Sequence, residues 1–402
     1  MCQEATCFKT RPAISTRAAA RSRVGALTAL FITGFGTFLN LYATQPLLPR
    51  FREIFQASEL MVSLTVSSTV LAVALMAPLV GLLADSVGRK RVIVAAMLGL
   101  AFPTALAGIS TNLSELIAWR FLQGVFTPGI IAVAIAYISE ESPGESVGST
   151  MAIYVTGTVI GGFSGRFIVG LVEIHWGWRI AFFILGSITF AAALTTWWLL
   201  PRSTKFVRQS SAAAALRSMR AHLRNPQLLA TCAVGFNVLF CMAGAFTYVN
   251  FYLADKPFFL GPVALGSIFG VYLIGAVITP VAGYILDRVG HRRALVGAVG
   301  MSAAGMLLTL VHNVPVIIGG LTLESSGVFA CQSASSSHVG KAANEGRSSA
   351  AGLYVALYYL GGCVGSILPG FLWKQAGWLG CVGIIISMQL ITAAIAYKFW
   401  QD

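Results

Sequence analysis

Three ionisable residues stand inside long apolar runs of this chain: Arg120, Arg166 and Glu324. A charge held away from water is costly, so such residues default to a functional reading, and each type brings its own chemistry. A guanidinium can bind an anionic group or bias the protonation of a nearby acid. Its alternative is a side chain that reaches back to the lipid headgroups. Glu324 is the one carboxyl deep in any run. Withdrawn from water, such a group can take up and release a proton; a neutral, hydrogen-bonded Glu lining a cavity is the other reading. Glu324 and Arg120 are therefore candidates for proton coupling, and Arg166 for contact with a solute. Asn40, Tyr42 and Gln45 in the first run, Gln123 in the fourth, and Asn237, Tyr248 and Asn250 in the seventh add polar groups that a solute could meet. Hydrogen bonding between helices is the commoner use of such residues.

A second set of chemical groups occurs twice. Residues 81–91 read GLLADSVGRKR and residues 283–293 read GYILDRVGHRR. Gly81, Asp85 and Gly88 align with Gly283, Asp287 and Gly290. Arg89, Lys90 and Arg91 close the first copy; Arg292 and Arg293 close the second. Gly88 supplies the backbone freedom of a tight turn, and Asp85 is placed to face a helix N-terminus, whose dipole favours a carboxylate. A further match pairs GGFSGRFIVG (161–170) with GGCVGSILPG (361–370), Tyr154 with Tyr354, Gly177 with Gly377 and Trp178 with Trp378. Glycines at 157, 161 and 165, and again at 361 and 365, put small residues on one helix face. That face serves either close helix packing or a flexible gate against the other half. A repeat at half the chain length implies two related halves around a shared interface.

The elements that carry these groups are long and apolar. Runs at 24–48, 60–84, 92–110, 114–138, 147–171 and 178–200 are followed, after a polar linker, by runs at 227–254, 262–286, 294–312, 314–338, 348–372 and 377–398. Each is long enough to cross a bilayer as a helix, and lone strands cannot cross one. Only 10% of residues are charged and mean hydropathy is +0.79, against about 25% charged in a soluble protein. The expected fold is an all-α membrane protein of twelve transmembrane helices in two six-helix bundles with pseudo-twofold symmetry. Its parts are a basic tail (1–23), an N-terminal bundle (24–200), a basic linker (201–226) and a C-terminal bundle (227–402). With both termini in the cytoplasm, 20 of the 27 lysines and arginines fall on that side, five on the other and two within spans. The net charge of +13 therefore reads as orientation in the membrane, and no nucleic-acid partner is expected. The linker suits either a helix lying on anionic headgroups or a solvated connector. The acidic cluster Glu140, Glu141 and Glu145 needs another explanation. Seven cysteines lack paired spacing, His312 and His338 lack ligand partners at metal spacing, and no phosphate-cradling loop occurs. No metal, cofactor, disulfide or signal cleavage is expected, and the absence of a nucleophile–base set argues against an enzyme.

At the loop after the second run the residues become recognisable. Gly81, Asp85, Gly88, Arg89, Lys90 and Arg91 resemble the Gly-x-Leu-Ala-Asp-x-x-Gly-Arg-Lys loop of the major facilitator superfamily, and Arg120, Gln123 and Gly124 resemble its Arg-x-x-Gln-Gly pattern. LYATQPLLP (41–49) and IGGFSGR (160–166) are similar to the YnfM-type bacterial inner-membrane permeases. The resemblance covers the chain from about residue 24. It implies a monomeric carrier of a small solute in the lipid bilayer, coupled to protons and working by alternating access. It also implies that Asp85 faces the helix beginning near Arg347, and that Arg89 or Arg91 pairs with Glu140 in a gate. The chain departs from the proton-coupled drug exporters in its fifth run: Gly162 stands where their pattern has Pro, and Arg166 where it ends in Gly. Export of a drug, sugar or metabolite and uptake of an organic anion both stay open.

Overall fold

The computed structural model describes residues 14–142, 147–203, 222–343 and 347–400, with the backbone alone at 14–23, 81–87, 276, 279–283, 285–287 and 347–349. Every described element is helical. In order these are α1 (Ile14–Leu41), a 3₁₀ turn (Gln45–Leu47), α2 (Leu48–Ile54), α3 (Glu59–Val87), α4 (Arg89–Ala107), α5 (Leu113–Glu141), α6 (Val147–Leu199), α7 (Pro226–Ala254), α8 (Pro262–Ile268), α9 (Val271–Val289), α10 (His291–Leu308), α11 (Val314–Ala342) and α12 (Arg347–Phe399). Among the described residues eight helices are long and apolar enough to cross a membrane. Two of these, α6 and α12, are each a pair of helices joined at one non-helical glycine, Gly177 and Gly377. Counting each leg, and adding α9 and α10, accommodates twelve spans.

The internal repeat is visible in the backbone. Among the described residues the glycines with positive φ are Gly88 (100°), Gly290 (86°), Gly177 (80°) and Gly377 (56°), two of the pairs aligned in the sequence. At Gly88 a side chain would meet nothing within 4 Å, so the cost of substitution is backbone strain alone. Gly88→Ala is expected to destabilise the protein by about 1–3 kcal/mol, read as a lower melting temperature in detergent. Gly148→Ala, also in open space but at the start of helix α6, should not lower it.

The four-residue glycine pattern is packing within each half. A Cβ on Gly157, Gly161 or Gly165 would strike the backbone of Phe31, Phe35 or Leu39 on α1; one on Gly361 or Gly365 would strike Phe236 or Phe240 on α7. These residues face their own half, which leaves the gate reading without a contact to rest on.

Two expected spans are broken. The run 24–48 stops being α-helical at Leu41 and continues through a turn into the 3₁₀ segment, because Pro46 and Pro49 have no N–H to extend the ladder. The run 262–286 divides into α8 and α9 around Phe269 and Gly270, bridged by turn bonds Gly270 N–H to Ser267 O (2.9 Å) and Tyr272 N–H to Phe269 O (3.1 Å).

The two ends of the bundle differ. At the end carrying Phe51 and Trp178, one apolar core is shared by both halves, joining Leu39, Phe51 and Phe182 to Phe246, Phe269 and Trp378. At the basic end, which carries Arg89 and Arg292, the N-terminal half has a core of its own, including Leu30, Ile93, Tyr137 and Tyr154, with no member from the other half. The C-terminal core there takes in only Leu41, Val70, Val73 and Ala74 as buried members from the first half.

Candidate functional site

Arg120 is fully buried on α5, and its donors are engaged at four acceptors. Nε donates to Thr65 O (2.9 Å), Nη1 to Asn40 O (2.8 Å) and to Gln123 Oε1, and Nη2 to Leu41 O (2.6 Å). Leu41 is the last residue of α1, so the guanidinium caps carbonyls freed where that helix stops. Gln123 Nε2 in turn donates to Pro103 O (3.3 Å), and Asn40 Nδ2 to Thr189 Oγ1 (2.8 Å). Arg120, Gln123 and Asn40 thus form one hydrogen-bonded node inside the first half, and no described carboxyl reaches it.

Arg166, on the first leg of α6, is in a different setting. Its Nε donates to Gln45 Oε1 (2.8 Å) and its Nη1 to Gly162 O (2.5 Å). Its Cζ lies 4.4 Å from the ring centre of Phe269, 5.0 Å from that of Tyr42 and 5.2 Å from that of Tyr272. Each ring face offers the cation about 0.5–2 kcal/mol. Tyr42 and Gln45 flank the break in the first span; Phe269 and Tyr272 flank the break in the eighth. Gln45 also reaches Thr247 Oγ1 on α7 (3.5 Å). The cage therefore joins both halves, and no described carboxylate neutralises it.

Glu324 is fully buried on α11, and neither carboxyl oxygen has a hydrogen-bond partner. Cys241, Cys331 and Tyr272 are its titratable neighbours. Cys241 and Cys331 also line a small gap inside the C-terminal half, together with Asn237, Ser302 and Gln389. Asn237 Nδ2 and Gln389 Oε1 are unpartnered there as well. Tyr272 neighbours both buried ionisable groups, its ring centre 5.2 Å from Arg166 Cζ.

The remaining solute candidates are tied up elsewhere. Tyr248 is fully buried and donates to Ser366 O (3.1 Å); Asn250 Nδ2 donates to Phe246 O (2.6 Å). Of the eight residues proposed from sequence to meet a solute, the structure brings together Tyr42, Gln45 and Arg166.

At the basic end, Arg89 pairs with Glu140 through two bonds, Nε to Oε2 (3.2 Å) and Nη2 to Oε1 (2.7 Å). Both residues belong to the first half, so the pair ties α4 to α5 and does not itself cross between halves. Lys90 is half-buried, Arg91 and Arg293 are exposed, and Arg292 stacks on Tyr397 at 3.8 Å. The side chains of Gly81, Asp85, Gly283 and Asp287, and Glu145, lie outside the described residues, as does most of the linker.

The opposite end holds a contact between halves that sequence reasoning missed. Arg52 on α2 donates to Asp255, the C-cap of α7, from Nη2 to Oδ1 (2.6 Å) and from Nη1 to Oδ2 (2.9 Å). Its Nη1 also reaches Glu59 Oε1 (3.0 Å), and its Cζ stands 5.8 Å from the Phe251 ring centre. The available signal was an arginine and an aspartate at the same ends of equivalent runs, 203 residues apart.

The same architecture recurs in known proteins. A family model described as Major Facilitator Superfamily matches residues 30–271 and 256–402. The chain is 36% identical over 370 residues to the inner membrane transport protein YnfM of Escherichia coli (strain K12), covering 91% of this chain and 88% of that one. It is 35% identical over 176 residues to the multi-drug resistance efflux pump PmrA of Streptococcus pneumoniae, covering 42% and 43% of the two chains. Its fold matches that of a bacterial homologue of the human lysosomal transporter Spinster, in an inward-facing and unoccupied conformation, with a TM-score of 0.78, 14% identity and coverage of 94% and 96%. The nucleoside transporter NupG matches with a TM-score of 0.77, 16% identity and coverage of 94% and 100%. Two repeated helical halves, the duplicated glycine turns and the family match over nearly the whole sequence together place this chain in the Major Facilitator Superfamily, as a multi-pass membrane transporter and not an enzyme.

Proposed function

We propose that the chain exports a small organic solute across the bacterial inner membrane in exchange for protons, by alternating access. The observation that carries the reading is the asymmetry of the two ends: a core drawn widely from both halves and the Arg52–Asp255 pair at one, and at the other an N-terminal core of its own beside a C-terminal core that takes only Leu41, Val70, Val73 and Ala74 as buried members from the first half. The placement of lysines and arginines puts the basic end in the cytoplasm, so this state is closed outward. Glu324, enclosed without a partner, is the proton carrier: ionised, it would leave a charge unpaired at a cost of several kcal/mol, and protonated it leaves none. Overlap with a named multi-drug efflux pump across 42% of the chain favours export. The second reading, proton-coupled uptake of an organic anion, is favoured by the uncompensated charge of Arg166. In both readings the single chain is the working unit.

The test is flux in proteoliposomes with an imposed pH gradient, using a cationic dye, a pentose and an aromatic carboxylate as solutes. Gradient-driven movement that an ionophore abolishes is the expected result. Movement unchanged by the ionophore would remove the proton from the account. In cells, expression should lower solute accumulation; a rise would select the uptake reading.

A further inference from the structure

We propose that the cage around Arg166 is the subsite for the negatively charged end of the solute, so that the transported class is a small organic anion with a flat apolar body. The inference rests on the transport reading above and deepens it.

Four observations converge on this cage. First, the two buried arginines differ in how far the protein satisfies them. Arg120 has four acceptors, whereas Arg166 has two, Gln45 Oε1 and Gly162 O, and its Nη2 has none among the described residues. A buried cation with donors to spare and no carboxylate is incomplete, and an incoming anion completes it. Second, the cage lies where two spans lose their helical backbone, at Tyr42–Gln45 and at Phe269–Gly270. Irregular backbone at membrane depth persists where it is buried in protein or lines a cavity, and broken helices are where transporter folds build their solute sites. Third, the aromatic faces come from both halves, Tyr42 from one and Phe269 and Tyr272 from the other. A solute bound there touches both halves and is released when they separate. Fourth, the position is outside the repeat: Ser366 stands where a twin of Arg166 would be. The arginine is therefore not needed to build the doubled fold.

The chemistry fixes the ligand class. A guanidinium presents a planar fork that matches a carboxylate through two parallel N–H···O bonds, and its own faces stack on rings. The fork takes the anionic group, and the rings of Tyr42, Phe269 and Tyr272 cover a planar apolar body. Tyr42 is only half-buried and so marks the side of entry.

The experiment uses the purified full chain in neutral detergent. Thermal unfolding is followed against benzoate and indole-3-acetate, each paired with its neutral amide, benzamide and indole-3-acetamide. The expected result is a concentration-dependent rise in melting temperature with the carboxylates and none with the amides. Arg166→Gln should abolish the rise. Arg166→Lys keeps the charge but loses the fork, and should weaken carboxylate binding at least tenfold. If Arg166→Gln does not fold, Phe269→Ala, which removes a cage wall, should weaken indole-3-acetate more than benzoate. Equal effects of acids and amides, no effect of either acid, or wild-type carboxylate binding in Arg166→Gln would each overturn the proposal. Proton-driven flux of a neutral solute alongside a silent carboxylate panel would sink the subsite and leave the transport reading. Carboxylate binding with no flux of any solute would do the reverse.

Discussion

Glu324→Gln should abolish the response of transport to a pH gradient while leaving exchange of solute for solute intact. Gln has nearly the shape of the protonated acid and cannot release a proton, so it fixes the carrier in one of its two charge states. Both oxygens of Glu324 lack partners in a fully buried site, which means that no hydrogen bond is lost on substitution. Stability should therefore be unchanged or raised, since the variant removes the option of an unpaired buried charge. In proteoliposomes the ratio of flux with a gradient to flux without one should fall to about one, and counterflow should persist. Retained gradient dependence would move the proton to another group. The coupling route predicted here runs past Tyr272, which neighbours both the Arg166 guanidinium and the Glu324 carboxyl. A negative charge appearing on Glu324 would compete with the solute's anion for the positive field around Arg166. That competition favours binding of the anion while Glu324 is protonated, so for an anionic solute it carries proton and solute together, as the uptake reading requires.

Arg52→Ala should open the end of the bundle that reads as periplasmic. Arg52 makes paired bonds to Asp255 across the halves and a further bond to Glu59. Isolated surface ion pairs contribute little, at most about 1 kcal/mol, but two-pronged geometry within a three-charge network raises that. With a loss of about 1–2 kcal/mol, the balance between closed and open shifts roughly 5–30-fold. Ser63 is fully buried in this seam, 3.5 Å from the Tyr248 hydroxyl of the other half. In a chain lacking its native cysteines, a Ser63→Cys probe should react with a membrane-impermeant thiol reagent faster by that factor when Arg52 is Ala. Asp255→Asn should act in the same direction and more weakly, because the amide still accepts one of the two bonds. An unchanged rate in both variants would show that the apolar core shared by the halves, and not this pair, holds the end shut.

The fold was legible because lipid solvent leaves so few options. Runs of this length must be helices, and two of the glycine pairs that the repeat aligned, Gly88 with Gly290 and Gly177 with Gly377, have positive φ in both copies. The resemblance offered Arg89 or Arg91 as the partner of Glu140, and the structure pairs Arg89 with it. A hydropathy pattern carries no signal for what broken helices set. A hydropathy run does not reveal that α1 stops at Leu41 or that α8 and α9 are separate, so it does not single out Phe269 and Tyr272. Asn40, Gln123, Tyr248 and Asn250, candidates for the solute by type, direct donors to Thr189, Pro103, Ser366 and Phe246 instead. Prolines at 46 and 49 and the glycine at 270 were the clues that would have located the breaks.

The rocking of two halves about the Arg166 seam is tested most directly by two distances measured in one chain. Spin labels at Ile54→Cys and Lys256→Cys report the Arg52–Asp255 end; labels at Ser139→Cys and Gly340→Cys report the basic end, at equivalent exposed sites of α5 and α11. Introducing Arg52→Ala should lengthen the first distance and shorten the second. If both distances stay as they were, or both change in the same sense, the halves do not alternate in the way described.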